Sequence, residues 1–269
     1  MPGANKLVPH VYAVTCAHVV EGGGCVVSLN SKEGKKVTLP TNPGDWLLSP
    51  SGDDVAVCHL DLGSHLKYAC LTLNGVVSLE MSKEGAVSIG DEVFMVGRFA
   101  VHAGKERNIP VVRFGNVAMM PWETIEQPRG HNQLSYLAEM RSLPGLSGSP
   151  VFLYQPYVSF RDIKTQLEKF PPGSQNPLNF GDKIPLEISA PLFLGIDWGT
   201  LRISDQGQVE SSGDKVNLLA HSGFAGIIPA WQLTDLLLSG EVKQKRQEAT
   251  AEIVKAAKNS PATMDFSSE

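Results

Sequence analysis

No stretch of the 269-residue chain approaches the roughly 18–20 consecutive apolar residues that a membrane-spanning helix requires. Met1 to His10 carries no apolar segment of the signal-peptide kind, so a cytoplasmic protein without a membrane partner is expected. An excess of positive charge is also missing. The 23 Lys and Arg against 28 Asp and Glu leave a formal net charge of -5, which excludes a general attraction to nucleic acid or to anionic membranes. Cysteine is scarce, with Cys16, Cys25, Cys58 and Cys70 as the whole complement and no Cys-x-x-Cys spacing among them. Buried thiols in a reducing compartment, with no obligatory disulfides, follow from that pattern. A zinc site built from Cys16, His18, Cys58 and His59 is conceivable, but its spacings match no common zinc pattern. Internal repeats are absent, and convincing helical periodicity is absent before residue 229.

What is present is a globular composition, 42% hydrophobic and 19% charged, in a chain long enough for two packed halves. Short runs rich in Val, Ile, Leu and Phe are cut by Gly, Pro, Asn and Asp about every ten residues, the signature of antiparallel strands in a barrel or sandwich. The strands expected are Val11–Thr15, Cys25–Leu29, Lys36–Leu39, Val55–Leu60, Val93–Val96, Val111–Met119, Leu134–Met140, Pro150–Leu153, Phe193–Trp198 and Phe224–Ile228. From Pro229 the pattern changes: Trp231, Leu233, Leu236 and Leu237 share a helical face, and Gly240 is a stop signal. A charged helical segment, Glu241 to Lys258, and a disordered Asn259–Glu269 tail are expected after it. Leu79 to Ile89, polar and glycine-containing, reads as the connection between halves. Tyr154–Pro191 and Arg202–His221 read as surface loops, being too long and too polar for tight hairpins. The domains expected are therefore 1–88, 89–240 and an extension over 241–269.

Three scattered polar groups share one explanation. Ser147 lies within Gly145-Leu146-Ser147-Gly148-Ser149-Pro150, His18 closes Thr15-Cys16-Ala17-His18, and Asp54 opens Asp54-Val55-Ala56-Val57. A serine hydroxyl is a poor nucleophile until an imidazole can take its proton, and the imidazole needs a carboxylate to fix its tautomer and stabilise its charged form. Glycines around Ser147 let the amides of Gly145 and Ser147 converge on one spot, an oxyanion hole. Asp53 and Asp54 are adjacent, so only one faces a given side of a strand; Asp54 is chosen because the alternating apolar residues follow it directly. His10, His59, His65, His102, His131 and His221 have no such company and read as structural.

The motifs, taken in chain order, resemble the trypsin-like, chymotrypsin-fold serine peptidases, especially the disulfide-free bacterial branch that includes the high-temperature-requirement proteases. Thr15-Cys16-Ala17-His18-Val19-Val20 is similar to the histidine motif, Asp54-Val55-Ala56-Val57 to the aspartate motif and Gly145–Pro150 to the nucleophile motif. Ile196-Asp197-Trp198-Gly199 resembles the strand that pairs with an extended substrate, and Gly223-Phe224-Ala225 resembles the closing strand before a terminal helix. The resemblance covers roughly residues 11 to 238. It implies an all-β fold of two antiparallel β-barrels with a C-terminal helix, the N-terminal barrel carrying His18 and Asp54 and the C-terminal one Ser147, with the site in the cleft between them. It further implies a serine endopeptidase that acts on polypeptide through an acyl-enzyme and needs no metal or organic cofactor. Trp198, Gly199, Gly223 and Phe224 would flank the P1 pocket, and Arg141 near its base would favour acidic P1 residues. The sequence itself sets no oligomeric state.

Departures from the family pattern are informative. Only about ten residues precede the histidine motif, where family members carry a Gly-rich first strand, so the resemblance implies either a start placed too late or an incomplete first barrel. Leu146 replaces the usual aspartate before the nucleophile, which speaks against a zymogen switch. Asp197 stands where a small hydroxyl residue is usual, and there a second carboxylate would compete with Asp54 for one imidazolium. A catalytically silent module that binds peptide or protein is the alternative function. An α/β-hydrolase, with Asp197 and His221 following the serine, is disfavoured: Pro150–Leu153 reads as strand where that fold requires a helix.

Overall fold

Alternation of apolar and polar side chains along the strands decides which faces are buried, and the pairing that results divides the chain into two compact units. One comprises Met1–Cys70 with Gln232–Glu269, the other Leu71–Trp231. The computed structural model describes residues 9–98, 104, 106–127, 130–140, 145–154, 191–211 and 214–259. His102, Arg141, nearly all of the expected Tyr154–Pro191 loop and the tail beyond residue 259 lie outside the described residues.

In the first unit β1 (Val11–Thr15) pairs antiparallel with β5 (Ala56–Leu60), which also pairs with β4 (Trp46–Leu48). A second sheet joins β2 (Val26–Ser31) to β3 (Lys36–Pro40) and β6 (Leu66–Lys67). Val20, Cys25, Trp46, Ala56 and Cys58 form the core, with Ala13, Val27 and Leu60 packed against it. Among the described residues these two three-stranded sheets do not close into the expected N-terminal barrel. Cys16, Cys25 and Cys58 are buried as expected, whereas Cys70 is exposed.

A five-residue helix, α1 (Ala17–Glu21), follows β1 directly. Cys16 keeps extended dihedrals, then Ala17 and Val20 turn inward. The helix ends at Gly22–Gly24, where the Gly24 N–H donates to the Val19 carbonyl at 2.8 Å. A Cβ on Gly24 would lie 2.6 Å from Val19 Cγ1, so only glycine lets the chain double back this closely. So short a helix offers too few turns for a 3.6-residue period, which is why its sequence reads as non-helical.

The second unit is built on a closed barrel with strand order β11-β14-β13-β12-β7-β8. Its strands are β7 (Glu92–Arg98), β8 (Pro110–Met119), β11 (Tyr136–Glu139), β12 (Pro150–Leu153), β13 (Phe193–Ser211) and β14 (Asp214–Pro229). Inward positions follow the period of two: Val93 and Met95, Tyr136 and Ala138, Val151 and Leu153, Ala225 and Ile227 are all buried. A small hairpin, β9 (Thr124–Glu126) with β10 (Asn132–Leu134), accompanies the barrel.

The domain boundary differs from the expected 88/89. Val77 donates its N–H to Phe193 at 3.0 Å, and Val77 and Val87 join the barrel core, so the segment after Cys70 belongs to the barrel. Within it, Ser78 caps the short α2 (Leu79–Lys83), and Ser82 Oγ lies 2.8 Å from the Tyr136 hydroxyl. The expected surface loop over Arg202–His221 is instead the far part of a β-ribbon, in which β13 and β14 pair as far as Ser211 and Asp214. The C-terminal residues form α3 (Ala230–Leu238) and α4 (Gly240–Asn259). Trp231, Leu233 and Leu236 of α3 are buried, and Arg246 of α4 donates to the Leu237 carbonyl at 3.2 Å, capping the end of α3.

Candidate active site

Strand register brings His18 and Asp54 together. Thr15, the last residue of β1, pairs with Ala56, the first of β5, so the chain leaving β1 runs beside the chain entering β5. Three residues past Thr15 comes His18; two before Ala56 comes Asp54. The Asp54 carboxylate makes two contacts with the same residue: Oδ1 accepts from the His18 backbone N–H at 2.9 Å, and Oδ2 lies 2.7 Å from His18 Nδ1. Because a carboxylate only accepts, Nδ1 carries a proton, and in the neutral ring Nε2 then offers its lone pair to a second partner. The His18 side chain is 21% exposed and that of Asp54 9%, so the imidazole has an accessible edge and a shielded carboxylate partner.

Asp53 turns to other partners. Its Oδ2 accepts from Ser49 Oγ at 3.2 Å and its Oδ1 from Gln232 Nε2 at 2.6 Å. The adjacent acids thus point in different directions, one toward the imidazole and one toward α3.

In the second unit Ser147 sits on a turn whose shape depends on two glycines. Gly145 and Gly148 have φ of 91° and 85°, a left-handed conformation that other residues adopt only under strain. The turn is pinned on both sides: Ser149 N–H donates to the Leu146 carbonyl at 2.9 Å, Gly148 N–H to Asp197 at 2.7 Å, and Asp197 N–H to Ser149 at 2.9 Å. Leu146 is buried beneath, against Gly97, where a Cβ would come within 2.6 Å of the Leu146 side chain. Among the described residues no backbone carbonyl accepts from the N–H of Gly145 or of Ser147. Those are the two amides that the sequence reading assigns to an oxyanion hole.

Ser147 Oγ donates to the Trp198 carbonyl at 3.2 Å. That carbonyl is turned out of the ladder because the β13–β14 register shifts between Asp197 and Gly199, leaving Trp198 on a bulge. The Trp198 indole is buried, with Nε1 donating to Ser135 Oγ at 2.9 Å. A Cβ on Gly226 would lie 2.1 Å from its ring, so the bare backbone there accommodates the indole. Gly199 and Gly223 both have positive φ and open space where a side chain would stand. Trp198 and Gly199 on β13 and Gly223 and Phe224 on β14 therefore lie on neighbouring strands. Asp197 is fully buried, and its Oδ1 accepts from Gly199 N–H at 3.3 Å.

Cys58 and His59 do not join Cys16 and His18. As successive residues on β5 they point to opposite faces: Cys58 packs in the core, and His59 faces out toward His10. His10 Nδ1 lies 3.0 Å from His59 Nε2, and His10 Nε2 lies 2.8 Å from Thr250 Oγ1 of α4. Burial, then His59 and Arg246, holds the His10 imidazole below its ordinary value. The grouping that does form is Cys16, His18 and Asp54, with one potential ligand atom from each lying within 4.8 Å of the others. The sequence offers Cys16 both within the histidine motif and as a zinc ligand with Cys58 and His59, but its approach to Asp54 depends on the β1–β5 register. A separate concavity of about 470 Å³ in the second unit, lined by Glu92, Phe114, Gly115, Asn116, Glu139 and Tyr154, contains none of the sequence-derived site residues.

No protein-family model and no curated protein matches the chain. Among solved structures it is similar to the MamO protease domain from Magnetospirillum magneticum in its apo form, at 14% identity and a TM-score of 0.47, over 88% of this chain and 93% of that one. It is also similar to Deg5, at 16% identity and a TM-score of 0.37, over 53% of this chain and 63% of that one. Among the described residues no helix is long and apolar enough to cross a membrane.

Proposed function

We propose that the chain is a serine endopeptidase that hydrolyses peptide bonds through an acyl-enzyme. The observation that carries this reading is the two-point grip of Asp54 on His18, which turns Nδ1 to the carboxylate and leaves Nε2 on the other side of the ring. In the proposed reaction Ser147 Oγ attacks the scissile carbonyl carbon while His18 Nε2 takes its proton. The C–N bond then breaks as His18 returns that proton to the leaving amine, giving an ester at Ser147 that water hydrolyses by the same two steps. The N–H groups of Gly145 and Ser147 stabilise the tetrahedral oxyanion, and loss of one such donor costs about 10²–10³ in rate. Backbone of the Trp198–Gly199 segment would pair with extended substrate, and the space beside Gly199 and Gly223 would take the P1 side chain. Replacing Ser147 by Ala tests the assignment: turnover of an unstructured protein substrate should vanish while the thermal midpoint stays within a few degrees.

A second reading is a module that keeps this architecture and binds polypeptide without cleaving it. It is favoured by the Ser147 hydroxyl donating to the Trp198 carbonyl, which engages the proton that His18 has to accept. Failure of a fluorophosphonate to modify Ser147 would favour the binding module.

A further inference from the structure

We propose that Cys16, His18 and Asp54 form a binding site for a zinc-class transition-metal ion, and that occupancy silences the general base; the second half of this statement rests on the peptidase reading. The three residues offer a thiol, an imidazole nitrogen and a carboxylate oxygen, the donor types from which zinc sites are built, and one ligand atom of each lies within 4.8 Å of the other two. Zinc bonds of about 2.0–2.3 Å at tetrahedral angles set ligand atoms roughly 3.3–3.8 Å apart. Nδ1 and the Asp54 carboxylate, now 2.7 Å apart, separate slightly to reach that spacing. A thiolate selects zinc, cobalt or similar ions over magnesium and calcium. Three protein ligands leave the fourth position to water. Cys16 is fully buried and Asp54 nearly so, while the His18 ring keeps an exposed edge, which makes the imidazole side the entrance.

Protons balance simply. The metal binds Nδ1, whose proton moves through solvent to Nε2, and the Cys16 thiol loses its proton to solvent as the metal–sulfur bond forms. One proton leaves per ion bound, with no change of oxidation state. With Nε2 protonated and Nδ1 coordinated, the imidazole has no lone pair for the Ser147 proton, so a bound ion stops acylation without touching the nucleophile.

The test is titration of the chelator-stripped full chain with Co²⁺, read by absorption without substrate. One equivalent is expected to produce a thiolate-to-cobalt charge-transfer band. In Cys16→Ser the band should disappear and affinity should fall at least about tenfold, because the soft ligand is lost. Absence of the band in the wild-type chain, or its persistence at full strength in Cys16→Ser, overturns the proposal. Should circular dichroism show Cys16→Ser unfolded, X-ray absorption of the zinc-loaded wild-type chain decides instead. A single sulfur at about 2.3 Å among nitrogen and oxygen ligands supports the site, and an all-nitrogen-and-oxygen shell refutes it. A chain that shows the band yet never hydrolyses peptide keeps the metal site and loses the peptidase reading.

Discussion

Replacing Asp54 by Asn changes one oxygen to an amino group, yet the geometry around His18 makes it a severe test of the proposed catalysis. Asp54 Oδ1 holds the His18 backbone N–H at 2.9 Å, so the substituted side-chain amide keeps its oxygen there and turns its NH₂ toward Nδ1, which Oδ2 now faces at 2.7 Å. An NH₂ can only donate to Nδ1, so the imidazole proton moves to Nε2, the atom that has to accept from Ser147. Flipping the amide sets NH₂ against the backbone N–H and leaves both donors unsatisfied, at a cost of about 1–3 kcal/mol. The carboxylate charge is also lost. At about 4 Å and an effective dielectric near 20, an imidazolium–carboxylate pair is worth roughly 4 kcal/mol. One to two decades from the tautomer and two to three from the charge combine to a loss of about 10⁴ in kcat near neutral pH, the size seen for this replacement in Ser-His-Asp triads. Steady-state hydrolysis of an unstructured protein reads the loss, and ¹⁵N NMR of the imidazole reads the tautomer in the same sample. Asp53→Asn is the matched control and should change kcat by less than about tenfold, since Asp53 serves Ser49 and Gln232. A loss under tenfold in Asp54→Asn, or an Nδ1-protonated ring in that variant, would refute the reasoning.

Other consequences concern stability. Because the His10 imidazole is held below its ordinary 6.5, the folded chain binds fewer protons than the unfolded one in that window, so its contribution is full above 6.5 and is lost as pH falls below it. Thermal midpoints taken on either side of 6.5 should fall on the acid side in the wild type and fall less in His10→Gln; equal slopes would contradict the His10–His59–Thr250 arrangement. Burial raises the Tyr136 hydroxyl from 10 to about 12, against the opposing bond from Ser82, so its contribution is present below 10 and is lost as pH rises toward 12. Urea midpoints across that alkaline range should decline less in Tyr136→Phe, and an identical decline would place the ionisation elsewhere. Gly226→Ala should destabilise by about 1–3 kcal/mol through collision with the Trp198 indole, and an unchanged urea midpoint would show that the ring does not lie over Gly226.

Much of this was legible wherever side chains carry the signal. β1 and β12 have the bounds that their short apolar runs predict, and the Trp231, Leu233 and Leu236 spacing marks α3. The short β4, β6, β9 and β10 give no readable period, since two or three residues cannot display one. The ribbon over Arg202–His221 reads as a loop in sequence because backbone hydrogen bonds to a partner strand, which composition does not report, define it. The same holds at the site. Motif order points to His18, Asp54 and Ser147, but the placement of Cys16 within 4.8 Å of the His18–Asp54 pair arises from the register of β1 on β5, and the Trp198 bulge that presents a carbonyl to Ser147 arises from a register shift. Among the described residues the first unit holds two three-stranded sheets, and strands long enough to be recognised in sequence do not reveal whether their sheets join.

The central claim is that Ser147 is an activated nucleophile, and covalent labelling tests it most directly. Incubating the full chain with a fluorophosphonate and mapping the adduct by peptide mass spectrometry should place one label on Ser147, with labelling slowed by orders of magnitude in His18→Ala. No adduct at Ser147 in a folded chain, or an adduct that forms equally fast without His18, would contradict the account.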